Sequence, residues 1–485
     1  MSRHDDELDV RLVFVIILFA VALRIGAIWI LGTWRGGAHA SGAHEHDVIA
    51  RSLVGGTGFA FPFYADALEP TATQAPVMPA LLATSYRILG VGQPGALLAM
   101  QCFQALWAVP AMWGIDRITS GLADARPRRY PVSLATWQGL ALLGFAAAPA
   151  LVYMVTRVQS INASVCGLLF VLGVFVRFLE RPSGPMAIVG GIAVALSCLA
   201  EPILAMPLGL AWWGLFALLH RSEVEPAENP ALRNGRTGSP GRLWAWAIPG
   251  VAALCVLPWV VRNTVALGEP TFIKSSFWYV FWQGNHIGAS GTDKRNVDEA
   301  LASRLRWQTG GASFEPVLEA ARRQAVSVDA GLAKADLNSI RSLPTEVERM
   351  AWFGKRIRSE LAAEPAHYPR MMARRLEMLV WFDPTNPRSL VLPYRFPYLV
   401  LSPLALIGLL LLGRPKGAAS MFWLAGIGLV IPLSAIITSA RFRLMIEAWM
   451  LVPAAYAVAV GIFRLGFQLK PGSKRYGETL EARNS

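Results

Sequence analysis

RLVFVIILFAVALRIGAIWIL, residues 11–31, carries one charge in its interior, Arg24, and otherwise reads as continuous apolar sequence. About 20 such residues suffice to cross the hydrocarbon core of a bilayer. Similar runs recur at about 95–115, 132–154, 160–178, 184–200, 203–220, 243–261, 397–413, 418–437 and 444–463. Composition agrees: 54% of the 485 residues are hydrophobic and 16% charged, against about 25% charged in soluble domains, and mean hydropathy is +0.42. The expected fold class is an all-α polytopic membrane protein with about ten transmembrane helices. No small-residue cleavage site follows the first apolar run, so it reads as a retained span and not as a removed signal peptide. Arg24 is expected near the outer end of that span, snorkelling or facing the bundle interior. The proline-bounded segment 76–90 is too short to span and is expected along the interface.

The charges orient the chain. Arg117, Arg126, Arg128 and Arg129 sit in one short connection, Arg177 and Arg181 in another, and Arg221, Arg233, Arg236 and Arg242 in a Pro/Gly/Asn-rich linker. The turn Arg414–Lys416 and the tail Arg464–Arg475 are also basic. The positive-inside rule makes all of these cytoplasmic and accounts for most of the net charge of +13, so no nucleic-acid partner is implied. Both termini are then cytoplasmic, and two substantial loops lie outside. Three regions follow: a transmembrane module 1–261 containing the first extracytoplasmic loop 32–75, a large extracytoplasmic loop 262–390, and C-terminal helices with a tail, 391–485. Cys102, Cys166, Cys198 and Cys255 fall inside apolar runs at no metal-ligand spacing and read as small buried hydrophobes. No GxxxxGK[ST] loop is present.

The first loop opens with HEHDVIARSL, residues 44–53. Val48, Ile49 and Leu53 are spaced as one face of a short interfacial helix, with Glu45, Asp47 and Arg51 polar. Asp47 and Arg51 stand four apart in the favourable order. Two acids at a helix start are also what the helix dipole favours, so residues alone leave a catalytic and a structural reading of Glu45 and Asp47 both open. His39, His44 and His46 match no metal-ligand spacing.

Three motifs, in order along the chain, carry a resemblance. The first loop holds E-x-x-x-I-A-R-S-L from Glu45 to Leu53, G-x-G-F at Gly56–Phe59 and P-T-A-x-x-A-P-x-x-P at Pro70–Pro79. PWVVRN follows at Pro258–Asn263 with FWQGN at Phe281–Asn285 and Gly288, and RFRL stands at Arg441–Leu444. Together they resemble GT-C superfamily membrane glycosyltransferases of the glycosyltransferase 39-like branch, related to protein O-mannosyltransferases and aminoarabinose transferases. The resemblance implies an inner-membrane enzyme that passes a sugar from a polyprenyl-phosphate donor to a lipid, glycan or protein acceptor on the outer face, with inversion. It also implies a first-loop acid as general base, aligned here at Glu45. Many relatives carry a further acid where Gly42 and Ala43 stand, so Asp47 remains the alternative.

A polyprenyl phosphate leaving group is already anionic and needs cations, not a general acid. Arg262, Lys274, Arg441 and Arg443 are the outer-face candidates, with interfacial anchoring as the plain alternative. Arginine suits a phosphate because its planar fork bonds two oxygens at once. Gln283, Asn285 and His286 are candidates for sugar or acceptor recognition. Trp278, Tyr279 and Trp282 read as interfacial belt, and Glu201 is a third choice for base. The residues specify no cofactor, and a divalent ion, used by some members of the superfamily, is left open. The rival class is a transporter or lipid flippase, which would place charges at mid-membrane; here the spans hold few, Arg24 and Glu447.

Overall fold

The computed structural model describes residues 7–123, 132–224, 239–294, 332–381, 383–386, 392–413 and 417–468. Arg126, Arg128, Arg129, Arg233, Arg236, Arg414–Lys416 and the tail beyond residue 468, on which the orientation of the chain leans, lie outside them. So does 295–331 of the large loop. Among the described residues the regular secondary structure is helical, joined by turns and loops, apart from one isolated antiparallel bridge, Ala60 with Pro70. The fold is an all-α polytopic membrane bundle.

Among the described residues seven stretches are long and apolar enough to cross a membrane. They are α1 (Val10–Leu31), α5 (Pro94–Leu106) continued by α6 (Ala108–Leu122), α9 (Ser160–Glu180), α11 (Ala205–Val224), α12 (Ser239–Leu267), α18 (Ala418–Ala435) and α19 (Ala440–Gln468). The expected spans 132–154, 184–200 and 397–413 appear as shorter apolar helices: α7 (Leu134–Ala147) with α8 (Pro149–Met154), α10 (Gly184–Ala200) and α17 (Leu392–Leu412). Segment 76–90 forms another short helix, α4 (Val77–Leu89). One apolar core joins α1, α6, α7, α9, α10, α11, α18 and α19.

Prolines and their substitutes explain several local features. The second span breaks at Trp107 because Pro110 has no N–H for the Leu106 carbonyl four residues back. Pro149 likewise orphans the carbonyl of Phe145, where α7 gives way to α8. Arg24 takes the missing donor's place, giving Nη2 to Phe145 at 3.2 Å and Nη1 to Ala146 at 3.3 Å and to Ala20 at 3.0 Å. The arginine is thus buried in the bundle and does not snorkel. Pro249 inside α12 strands the carbonyl of Ala245, which accepts from Trp212 Nε1 at 2.9 Å. Helices α6 and α9 touch backbone to backbone at Gly114, where a Cβ would stand 2.2 Å from the Leu169 carbonyl oxygen.

The first loop contains α2 (Gly37–Ser41), α3 (His44–Val54) and the turn 59–71, whose base is closed by Phe61 N to Glu69 O at 3.0 Å and Thr71 N to Phe59 O at 3.1 Å. The second loop contributes α13 (Phe277–Asn285), α14 (Lys334–Arg341), α15 (Glu346–Ala363) and α16 (His367–Val380). The loops share a core of Phe63, Trp282, Ile340, Met350, Phe353 and Ile357. They are also tied by ionic and polar contacts. Glu346 accepts from Ala72 N at 3.0 Å and Ser275 Oγ at 2.6 Å, Thr71 donates to it too, and Arg349 pairs with Glu69.

Two expected boundaries shift. Helix α12 continues to Leu267, so Arg262 lies within its final turns and not beyond a span. Helix α19 starts at Ala440, so Arg441 and Arg443 occupy its first turn.

Candidate functional site

Between the two loops and the ends of the helices lies a cavity of about 460 Å³. Helix α3 supplies Glu45 and His46; the junction after α10 supplies Glu201; the segment after α12 supplies Lys274; α13 supplies Tyr279 and Gln283; the turn after it supplies Asp293 and Lys294; α19 supplies Arg441. Phe61, Phe63 and Tyr64 form an aromatic wall. Tyr64 is held in the left-handed region, at φ 54°, by edge contacts with Phe63 at 4.9 Å and Tyr279 at 6.3 Å between ring centroids.

Glu45 is exposed to this space and, among the described residues, makes no hydrogen bond or ion pair. Its carboxylate is available as a proton acceptor. Glu201 is buried, accepting from Ser160 Oγ at 3.0 Å and lying 3.4 Å from Lys274 Nζ. Across the cavity Asp293 faces two cations, 3.7 Å from Lys294 Nζ and 3.8 Å from Arg441 Nη2. His46 is buried with Nδ1 lacking a partner; burial first, and then Lys274 and Arg441, push its pKa down to about 4, against the pull of Glu45 and Glu201. The imidazole is therefore neutral near pH 7 and serves a ligand only as a neutral hydrogen-bonding group.

The PWVVRN motif turns out to be a set of carbonyl clamps. Trp259 Nε1 donates to Ile273 O at 3.0 Å and Asn263 Nδ2 to Phe272 O at 2.6 Å, which fixes the backbone just before Lys274. Arg262 forks onto Thr71 O at 2.6 Å and Phe59 O at 2.7 Å, bridging the base of the first-loop turn, with the Phe59 and Trp259 rings 5.2 and 5.1 Å from its guanidinium carbon. In FWQGN, Gln283 lines the cavity. Gly284 must be glycine, because a Cβ would come 2.4 Å from the Ile436 carbonyl oxygen.

The remaining sequence candidates stand apart from the cavity. Asp47 is buried against α4, accepting from Arg51 Nε at 2.8 Å and from the Tyr86 hydroxyl. The buried face of α3 is His46, Asp47, Ile49, Ala50 and Ser52, which shares only Ile49 with the expected stripe of Val48, Ile49 and Leu53. Arg443 points into the bundle, 3.2 Å from Glu447 and 3.9 Å over the Tyr398 ring. Asn285 donates to Phe281 O at 2.8 Å and Ile436 O at 2.9 Å and accepts from Arg375 at 2.8 Å. His286 stacks on Trp282 at 4.8 Å, and burial lowers its pKa. Thus Glu45, Lys274, Gln283 and Arg441 come together, while Asp47, Arg262, Arg443, Asn285 and His286 do not line the space.

Polar lining residues that carry no motif sequence reasoning could use for the site include Gln159, Ser160, Asp293, Lys294, Thr438 and Ser439. Glu201 was visible as an acid at a span junction. Among the described residues no group of three His, Cys, Asp or Glu side chains is gathered as a metal ligand set, and Glu201 is already taken up by Lys274, so no step below is routed through a metal.

No protein-family model matches the chain, and neither does any curated protein. Solved structures similar to it include an archaeal oligosaccharyltransferase and ArnT. The Archaeoglobus fulgidus oligosaccharyltransferase, in complex with Zn and sulfate, is 14% identical with a TM-score of 0.49 over 94% of this chain and 50% of that one. The archaeal oligosaccharyltransferase AglB from Archaeoglobus fulgidus, in complex with an inhibitory peptide and a dolichol-phosphate, gives 14%, 0.49, 95% and 52%. ArnT from Cupriavidus metallidurans, bound to undecaprenyl phosphate, gives 15%, 0.37, 94% and 79%. The chain spans about half the length of the oligosaccharyltransferase.

Proposed function

We propose that the chain is a membrane glycosyltransferase that moves a sugar from a polyprenyl-phosphate donor to an acceptor hydroxyl in this cavity, on the extracytoplasmic face. The observation that carries the reading is an unpaired carboxylate, Glu45, sharing one cavity with Lys274, Lys294 and Arg441. A hydroxyl is a poor nucleophile at neutral pH, and a base within hydrogen-bond reach contributes roughly 10²–10⁴-fold. Glu45 takes the acceptor's O–H proton as that oxygen bonds to the sugar C1. The C1–O bond to phosphate breaks on the opposite side, inverting C1, and its electron pair leaves with the phosphate oxygen. Charge thereby grows on the phosphate, where preorganised cations stabilise it without reorganising. His46 and Gln283 are the uncharged groups for sugar or acceptor hydroxyls, and the aromatic wall offers a face for stacking.

Two sequence candidates change role in this scheme. We assign Arg262 to holding the first loop and Asp47 to anchoring α3, since both are committed to protein partners. The transporter reading loses ground to the same geometry: Arg24 is consumed by backbone carbonyls and Arg443 pairs with Glu447, which leaves no free charge of either residue for a path between helices.

The test uses purified protein in nanodiscs with a panel of radiolabelled undecaprenyl-phosphate sugars. Release of undecaprenyl phosphate with label moved to an acceptor is expected for at least one sugar, and Lys274→Ala or Arg441→Ala should raise KM about tenfold each. Movement of the intact labelled lipid between leaflets, with no sugar released, would overturn the reading in favour of a flippase.

A further inference from the structure

The cation pair at Arg441 is closed by an acid that the transfer scheme does not use. Asp293 lies between Arg441 and Lys294 at 3.8 and 3.7 Å. Both separations exceed a hydrogen bond, so charge alone holds the contacts. The three side chains are 48%, 41% and 26% exposed for Arg441, Lys294 and Asp293, facing the cavity and not sealed in the protein. Among the described residues no other acid pairs with either cation. The backbone around Asp293 is nevertheless firmly built: Thr438 N donates to Gly291 O at 3.3 Å, Thr292 N to Ser290 Oγ at 3.2 Å, and the Thr292 and Thr385 hydroxyls meet at 2.9 Å. A fixed backbone thus presents a loosely held carboxylate to two cavity cations.

We propose that Asp293 is an internal stand-in anion, displaced from Arg441 and Lys294 by the lipid phosphate and returning to them to expel the product. The proposal rests on the transferase reading above and deepens it. A sugar-phosphate lipid is a phosphodiester with one negative charge. Transfer replaces its C1–O bond with a free phosphate oxygen, and a phosphomonoester carries roughly −1.5 to −2 at neutral pH, its second pKa being about 6. The cations that help the bond break therefore hold the product more tightly than the donor. Displacing the carboxylate from these cations weakens both ligands alike, and because Asp293 stays beside the site its residual repulsion weakens the more highly charged product by more. Asp293 is in this sense a specificity-determining residue for donor over spent carrier.

Binding of undecaprenyl phosphate, and of its methyl ester as a singly charged diester, is measured in nanodiscs for wild type, Asp293→Asn, Asp293→Ser and Arg441→Ala. Partly exposed ion pairs are weak, so both Asp293 variants should bind the monoester about three- to tenfold more tightly, the diester by less, and Arg441→Ala should bind both more weakly. Equal or weaker monoester binding by the two Asp293 variants, with Arg441→Ala still impaired, overturns the stand-in role alone. Unchanged binding in Arg441→Ala removes the phosphate site itself, and the transferase reading with it.

Discussion

At the scale of single residues, neighbours on one short helix end up with unlike tasks. Glu45 faces the cavity with no partner, Asp47 is buried under Arg51 and Tyr86, and His46 between them is buried with a bare nitrogen. Which acid was which could not be read from HEHD, because the choice depends on Tyr86 arriving from α4. Asp47→Asn should therefore leave turnover near wild type while costing about 1–3 kcal/mol of stability through its lost ion pair and strained hydrogen bonding, seen as a lower melting temperature in detergent. His46 carries a pH signature. Its folded pKa, about 4, lies below the ordinary 6.5, so between those values the unfolded chain binds more protons and stability falls as the pH falls. At about 1.4 kcal/mol per pH unit the loss reaches ~3 kcal/mol by pH 4. His46→Gln should flatten that part of the melting-temperature profile; a profile with the wild-type slope would contradict the assignment.

At the scale of elements, apolar length made the long helices of the bundle legible in advance and marked 76–90 as too short to span, whereas α2, α13, α14 and α16 carry no such signal. The polar attachments of the helices were not legible. Arg262 looked like a phosphate ligand because it closes PWVVRN at a span end; its fork is in fact spent on Phe59 and Thr71 carbonyls far away in sequence. Asn285 is likewise consumed by Ile436 and Arg375. Such partners are backbone atoms, which have no letter in the sequence. Arg262→Lys keeps the charge but loses the fork. It should destabilise the first loop by about 1–3 kcal/mol and expose residues 59–71 to proteolysis, with undecaprenyl phosphate affinity nearly unchanged. A tenfold loss of that affinity with the loop still protected would return Arg262 to the phosphate site. Arg24→Met should be severe by the same logic, because it strands carbonyls of α7 in apolar surroundings, at several kcal/mol each.

At the scale of the whole molecule, the two loops act as one body laid across the helix ends. Glu346 gathers Thr71, Ala72 and Ser275, and burial holds its carboxyl above the usual carboxylate range against those hydrogen bonds. The cavity exists because this body and the first turn of α19 face each other. Glu45, Lys274, Gln283 and Arg441, widely separated in sequence, meet only there. The central claim is that Glu45 removes the acceptor's proton in that space. The most direct measurement is the single-turnover rate of sugar transfer from a labelled undecaprenyl-phosphate donor by wild type, Glu45→Gln and Asp47→Asn, with undecaprenyl phosphate binding as the control for an intact site. The account predicts a loss of at least about 100-fold for Glu45→Gln with binding retained, and a rate near wild type for Asp47→Asn. Transfer by Glu45→Gln at the wild-type rate would contradict it.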